Sequence, residues 1–167
     1  MLAPLLQTSK LRDEAFGKFW VAFSNAQSTQ QPPALDAAPT PVQCSSDLIP
    51  PLLARASGIV LDVGPGTGTQ MPFLRSPAIR AIYGAEPCAG LHAELRARAD
   101  AEGLGAKYHV VPSSVVAAEL VPALEKEGLS AADGAGVFDT IICVRVLCSV
   151  PDMQRTIREL CLLRSMW

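Results

Sequence analysis

The segment VLDVGPGTGTQ, residues 60–70, carries the residue types and spacing best suited to chemistry. An apolar run that contains Asp62 stops at three glycines spaced two apart, Gly64, Gly66 and Gly68. Glycine weakens a regular element, so three of them indicate that something must approach the bare backbone closely. At the end of a strand, such a loop predicts a site for a nucleotide-like ligand.

The elements that would position this loop follow from residue 58 onward, where short apolar runs alternate with helical segments. The predicted strands are 58–63, 80–86, 107–112 and 137–147, and the predicted helices are 69–76, 88–103, 115–128 and 151–165, with an interruption of the third helix at Pro122. Continuous apolar strands that alternate with helices predict an α/β fold, a doubly wound and mostly parallel sheet buried on both faces. Ligands of such sheets bind beyond the carboxyl ends of the strands, where the glycine loop lies.

The N-terminal part of the chain has a different sequence composition. Residues 10–24 predict an amphipathic helix whose aromatic face covers the domain core, forms a lid over a ligand pocket or contacts a membrane surface. Residues 27–51 hold six prolines and predict a linker or flexible loop. The predicted organisation is therefore an N-terminal helical segment at 1–26, a linker at 27–51 and a folded domain at 52–167.

Composition limits the classes of partner and location. The net charge of −2, without a basic stripe, excludes nucleic acid as a partner. Five cysteines match neither a zinc site nor a disulfide framework, which predicts no metal and a reduced, cytoplasmic location. No apolar stretch is long enough to span a membrane, so membrane contact would be peripheral, through the aromatic helix.

The spacing around the glycine loop separates two classes of ligand. A dinucleotide fingerprint from Gly64 would require glycine or alanine where this chain has Thr69, which disfavours a nucleotide-binding oxidoreductase. Gly68 instead completes D-x-G-x-G-x-G from Asp62, and Glu86, at the end of the second predicted strand, can accept hydrogen bonds from ribose hydroxyls. This pattern resembles motif I of the class I S-adenosylmethionine-dependent methyltransferases.

A second segment strengthens the resemblance. FDTIICVRVLCSVPD, residues 138–152, is similar to the fourth-strand motif of that family, especially in fungal members related to UbiE-type and methyltransferase-like proteins. YGAEP, LCSVPD and RDEAFGKFW resemble the same group, and the similarity covers most of residues 10–163.

The resemblance implies that S-adenosylmethionine is the cofactor and a small molecule the methyl acceptor. It also implies a set of cofactor-binding residues, which are Asp62, Gly64, Pro65, Gly66, Thr67, Gly68, Glu86, Pro87, Cys88, Ser113, Ser114, Cys143 and Val144. In that set Asp62 orients the loop and the methionine amino end, the glycines admit the cofactor, and Glu86 holds the ribose. The two serines either bind the adenine amino group or act as local caps. The resemblance identifies no catalytic residue.

The resemblance also predicts that the fold is incomplete. The family's sheet normally has seven strands, of which about four are found here, so we expect a form truncated at the C-terminus. An apolar fourth strand left at the sheet edge predicts self-association through that edge. A non-catalytic S-adenosylmethionine-binding remnant, or a module that acts by association, is the alternative to a small-molecule methyltransferase.

Overall fold

The computed structural model of the chain describes residues 8–28, 44–129 and 136–164. Within these ranges the helices are α1 Thr8–Ser28, α2 Ile49–Leu53, α3 His92–Ala101, α4 Ala117–Lys126 and α5 Met153–Leu163. The strands are β1 Gly58–Val63, β2 Ile79–Ala85, β3 Tyr108–Val111 and β4 Thr140–Ile142. Short 3₁₀ turns lie at Ser45–Leu48, Met71–Phe73, Ala89–Leu91 and Leu147–Ser149.

The four strands form one parallel sheet in the order β3-β2-β1-β4. β1 pairs with β2 on one side and with β4 on the other, so the strand that carries the glycine loop is internal. The predicted α/β fold, a Rossmann-like sheet with flanking helices, is confirmed. The internal position of β1 brings the ends of three strands to the edge where its loop emerges.

The core consists of two apolar clusters on opposite faces of the sheet. Val60 and Ile82 belong to one cluster, while Leu61, Val111 and Phe138 belong to the other. Because neighbouring residues of β1 enter different clusters, the strand is buried on both faces, which explains its continuous apolar sequence.

The helix predicted at 69–76, directly after the glycine loop, is absent, so that prediction was wrong. The chain there makes only the 3₁₀ turn Met71–Phe73, which has Pro72 near its start. Pro77 follows shortly, and the residue before a proline disfavours helical angles. The loop consequently lacks the helix N-terminus that often holds phosphate.

Two other boundaries differ from the prediction. β4 ends at Ile142 rather than at 147, because Arg145 adopts a left-handed φ of 57° and the chain then turns. Helix α4, in contrast, continues through Pro122. The buried side chains of Leu120 and Leu124 on either side of this proline hold the helix against the core.

The N-terminal segments are more helical than expected. α1 extends to Ser28, and Ser45–Leu53 is helical although the sequence predicts a linker over 27–51. The remainder of that predicted linker, 29–43, lies outside the described residues.

Only part of the predicted aromatic face of α1, its tryptophan, packs against the domain. The phenylalanine rings of α1 are largely exposed, with Phe19 at 62%. Gly17 and Ser24 are buried, and Trp20 is half-buried. The prediction that the phenylalanines cover the core was therefore wrong.

Candidate functional site

The glycine loop and Glu86 meet at the carboxyl ends of β1 and β2, as the sequence predicts. Val63 pairs with Ala85, and the Gly64 amide donates a hydrogen bond to the Ala85 carbonyl over 2.9 Å. The Gly66 amide donates to Glu86 Oε2 over 3.0 Å. The side chain expected to bind ribose thus also fixes the loop.

All three loop glycines have left-handed backbone angles, with φ of 58°, 61° and 75°. A Cβ built on Gly64 would lie 2.5 Å from Val146 Cγ2, and one on Gly66 would lie 2.8 Å from Trp20 Nε1. Left-handed angles are costly for any residue with a Cβ. The glycines are therefore required by the backbone and by neighbouring side chains of the protein itself, before any ligand is considered.

Glu86 is a buried carboxylate held by backbone amides. Its side chain is 5% exposed, and its Oε1 accepts a hydrogen bond from the Cys88 amide over 2.9 Å. Burial raises its pKa, while the hydrogen bonds from Cys88 and Gly66 act against that rise. A carboxylate oxygen accepts more than one hydrogen bond, so each oxygen retains capacity for a hydroxyl group.

His92 supports this carboxylate through the backbone rather than by contact with a ligand. Its Nε2 lies 2.8 Å from the Glu86 carbonyl oxygen. Because a carbonyl oxygen only accepts, that ring nitrogen carries a proton. No motif in the sequence indicates this role of His92.

Asp62 is the second buried carboxyl group of the site. It is 4% exposed, and its Oδ2 accepts a hydrogen bond from the Tyr108 hydroxyl over 2.9 Å. Burial raises the pKa of Asp62 to about 6; the Tyr108 hydrogen bond opposes this rise, and the nearby Glu86 adds to it. The hydrogen-bond partner of the Asp62 side chain is thus a tyrosine of β3. The resemblance had implied instead that Asp62 orients the glycine loop.

Tyr108 reaches Asp62 only because β2 carries a glycine between them. β2 separates β1 from β3, and a Cβ built on Gly84 would lie 2.5 Å from the Tyr108 hydroxyl oxygen. The sequence analysis missed both residues. The signal was available, since an isolated glycine inside a strand marks a close approach of another group.

We predict that Tyr108→Phe raises the pKa of Asp62 further and destabilises the fold by about 1 kcal/mol, because a buried hydrogen bond is lost. The carboxyl ¹³C shift of Asp62 against pH measures the first effect, and urea unfolding measures the second. Tyr83→Phe is the control, since Tyr83 stacks on His109 in the other core cluster. An unchanged titration of Asp62 in Tyr108→Phe would contradict the assignment.

Thr67 follows Gly66 in the loop, and Cys88 donates its amide to Glu86, but the polar groups of their side chains are used differently. Thr67 is 1% exposed, and its Oγ1 has no hydrogen-bond partner. Cys88 is buried beside the exposed Pro87, and its Sγ lies 3.4 Å from the Asp13 carbonyl oxygen. Buried hydroxyls normally have partners, so Thr67 can accommodate one further polar group.

The remaining predicted residues lie further along the strand ends. Ser113 Oγ donates to the Ser114 carbonyl over 2.9 Å, and Ser114 Oγ bonds Glu119 Oε2 over 2.6 Å. These are local contacts, so a role with adenine stays a prediction. Cys143 and Val144 follow β4 and are half-buried; burial raises the Cys143 pKa to about 11, so its thiol stays protonated at neutral pH.

Two features are absent from the described ranges. Across 8–28, 44–129 and 136–164, no helix combines the length and apolarity needed to cross a membrane. The same ranges contain no group of three or more histidine, cysteine, aspartate or glutamate side chains arranged to hold a metal ion.

Comparison with known proteins places this geometry in context. A family model described as a methyltransferase domain matches residues 41–163. The YcgJ protein of Bacillus subtilis has a similar structure, with a TM-score of 0.53 at 19% identity over 72% of this chain and 47% of that one. The [4+2]-cyclase SpnF aligns with a TM-score of 0.58 at 19% identity over 92% of this chain and 57% of that one.

The chain therefore spans about half the length of these two solved structures. At such low identity the likeness shows the fold alone. No curated protein sequence matches this chain.

Proposed function

Because the chain belongs to the methyltransferase domain family, we propose that it binds S-adenosylmethionine and transfers the methyl group to a small molecule. The observation that carries this proposal is the contact of Glu86 with the Gly66 amide, which unites the ribose-binding candidate and the glycine loop. The fungal UbiE-type resemblance and a cytoplasmic location are parts of the same proposal.

The residues at the loop are suited to the cofactor. Glu86 offers two carboxylate oxygens with unused acceptor capacity for ribose hydroxyls. Thr67 offers a buried hydroxyl without a partner. Gly64 and Gly66 present backbone in place of side chains, which lets a ligand approach the loop closely.

The charge of the site favours a cationic ligand over an anionic one. Asp62 and Glu86 are both buried, and burial raises the pKa of each. The nearby Glu86 raises the pKa of Asp62 further. In the described residues neither carboxyl group has a lysine or arginine hydrogen-bond partner. S-adenosylmethionine carries a positive sulfonium, whereas a dinucleotide carries phosphates that two buried carboxylates would repel. The missing helix after the loop removes the usual compensation for phosphate.

In this proposal the protein acts mainly by binding and orientation. S-adenosylmethionine supplies an already activated methyl group on its sulfonium. Glu86 holds the ribose, the loop fixes the cofactor's position, and Asp62 lends negative charge near the loop. Alignment of an acceptor with the methyl group can then supply much of the rate. We assign no catalytic base.

A second candidate is a protein of this fold that uses its site for a purpose other than methyl transfer. The solved structure named [4+2]-cyclase SpnF has a similar fold, and a fold alone does not determine a reaction. A non-catalytic protein that only binds S-adenosylmethionine belongs to the same class. Transfer of labelled methyl from S-adenosylmethionine to a panel of small hydroxyl, amine and thiol compounds would separate these candidates from a methyltransferase.

Calorimetric titration tests the binding proposal. We expect heat of binding with S-adenosylmethionine and S-adenosylhomocysteine and none with NAD. Glu86→Gln should weaken both affinities about tenfold, because charge-assisted hydrogen bonds exceed neutral ones. Glu94→Gln, a change of the same kind on helix α3, is the control. Binding of NAD alone would reject the proposal.

A further inference from the structure

Helix α1 is docked over the glycine loop, so of the alternatives that the sequence leaves open for its aromatic face, the lid over a ligand pocket can be argued from contacts. A Cβ built on Gly17 would lie 3.1 Å from the backbone of Gly90, so the helix and the turn at Gly90 touch at a pair of glycines. Near this contact, Cys88 Sγ lies 3.4 Å from the Asp13 carbonyl oxygen. Both contacts are to the segment that directly follows Glu86.

The consequence of this docking is the position of Trp20. One turn along α1 from Gly17, the indole nitrogen lies 2.8 Å from the point where Gly66 would carry a Cβ. The indole is held by neighbouring rings, with centroids 5.7 Å from Phe16 and 5.5 Å from Phe23. Trp20 therefore covers the backbone that the proposed cofactor would have to approach.

The site is closed as a result. Gly66 is buried, and the Glu86 side chain is 5% exposed. The contacts of α1 with the site include Asp13, Gly17 and Trp20, while the phenylalanine rings of the helix face outward.

We infer that α1 is a movable lid of this site and that Trp20 is a ligand-contacting residue that closes over the bound cofactor. The inference rests on the proposed function for the identity of the ligand. A molecule seated between Glu86 and the glycine loop must displace the indole on entry and touch it afterwards. Removal of the indole should therefore act mainly on the rate of ligand escape.

The first experiment uses tryptophan fluorescence. The chain has two tryptophans, Trp20 and Trp167, so a Trp167→Phe protein reports Trp20 alone. Titration with S-adenosylhomocysteine should change the emission saturably, with the affinity that calorimetry gives. In stopped flow, Trp20→Ala should increase the dissociation rate of S-adenosylhomocysteine about tenfold, as expected for loss of a large aromatic contact. Displacement of a fluorescent adenosine analogue supplies the signal for that variant.

Phe19→Ala is the matched control for the loss of an aromatic ring from the same helix, because Phe19 is 62% exposed. It should leave the dissociation rate within about twofold, as surface changes usually do. Binding that calorimetry detects, with Trp20 emission and the Trp20→Ala rate both unchanged, overturns the lid and leaves the proposed function intact. If neither S-adenosylmethionine nor S-adenosylhomocysteine gives heat of binding, the proposed function and the ligand contact are rejected together.

A second experiment tests the docking of α1 without a ligand. Gly17→Val would force a side chain against the Gly90 backbone and should lift the helix, which increases acrylamide quenching of Trp20. Ala15→Val adds the same side chain at an exposed position of α1 and should leave quenching unchanged. Equal quenching in the Trp167→Phe protein with and without Gly17→Val would overturn the lid even if S-adenosylhomocysteine binds.

Discussion

Gly66→Val is expected to reduce the affinity for S-adenosylhomocysteine by about 100-fold or more, the largest binding effect we predict for a single change. Three consequences act at once. The residue has φ of 61°, which a β-branched side chain strongly disfavours. Its side chain would occupy the space beside the loop that Trp20 fills at 2.8 Å and that the ligand would enter, and a shifted loop would move the amide away from Glu86. Titration calorimetry of the purified variant measures the loss.

The control must separate local strain from damage to the site. Gly103 has a comparable φ of 71°, and a Cβ built there meets no atom within 4 Å. Gly103→Val should therefore cost about 1–2 kcal/mol of backbone strain, as Gly66→Val does, but it should retain wild-type affinity. An affinity for Gly66→Val within about threefold of Gly103→Val, on the scale of ordinary surface substitutions, would mean that the loop is not the binding site.

Asp62→Asn is expected to stabilise the unliganded protein at pH 7 by about 3 kcal/mol, the largest stability effect we predict. The pKa of Asp62 is about 6 in the fold against an ordinary value of 3.8, because burial disfavours its ionised form. A difference of about two pKa units corresponds to about 3 kcal/mol. Asparagine keeps the shape and an acceptor for Tyr108 without the buried charge.

The pH dependence of this effect has a definite sign. Between pH 4 and 6 the folded Asp62 binds a proton that the unfolded chain has released, so stability falls as pH rises through this window. Glu86, whose pKa is also raised, contributes in the same direction. The stability gap between Asp62→Asn and wild type should therefore be close to zero at pH 4 and largest above pH 6.

Urea unfolding of both proteins at several pH values between 4 and 7 checks this prediction. The same variant should bind S-adenosylmethionine more weakly than wild type at pH 7, because it lacks a negative charge near the loop. A gap in stability that is constant with pH would contradict the buried-charge explanation. An acid retained at a cost in stability is typical of functional sites.

The sequence was sufficient for the architecture and for the pairing of loop and acid. Alternation of apolar strands and helices predicted the parallel sheet, and the spacing from Gly64 to Glu86 placed both at neighbouring strand ends. These features are set by local patterns that a single chain displays. The helix predicted at 69–76 failed because proline effects at Pro72 and Pro77 outweighed the pattern.

The contacts that complete the site could not be predicted because they join distant parts of the chain. Tyr108 meets Asp62 across 46 positions, and Trp20 meets Gly66 across an equal separation. Periodicity shows which face of an element is apolar, but it does not show which of several aromatic residues lies inward. Only the docking of α1 distinguishes Trp20 from Phe19.

The crossing of Tyr108 over Gly84 has a consequence for evolution of the family. A side chain at position 84 and a tyrosine at position 108 cannot coexist, since the added Cβ would lie 2.5 Å from the hydroxyl oxygen. Relatives should therefore vary at the two positions together, with glycine accompanying tyrosine and a larger residue accompanying a shorter one. Where that exchange has occurred, the acid equivalent to Asp62 must find another donor, lose its charge or be replaced. We therefore expect these three positions, on three different strands, to vary as one unit.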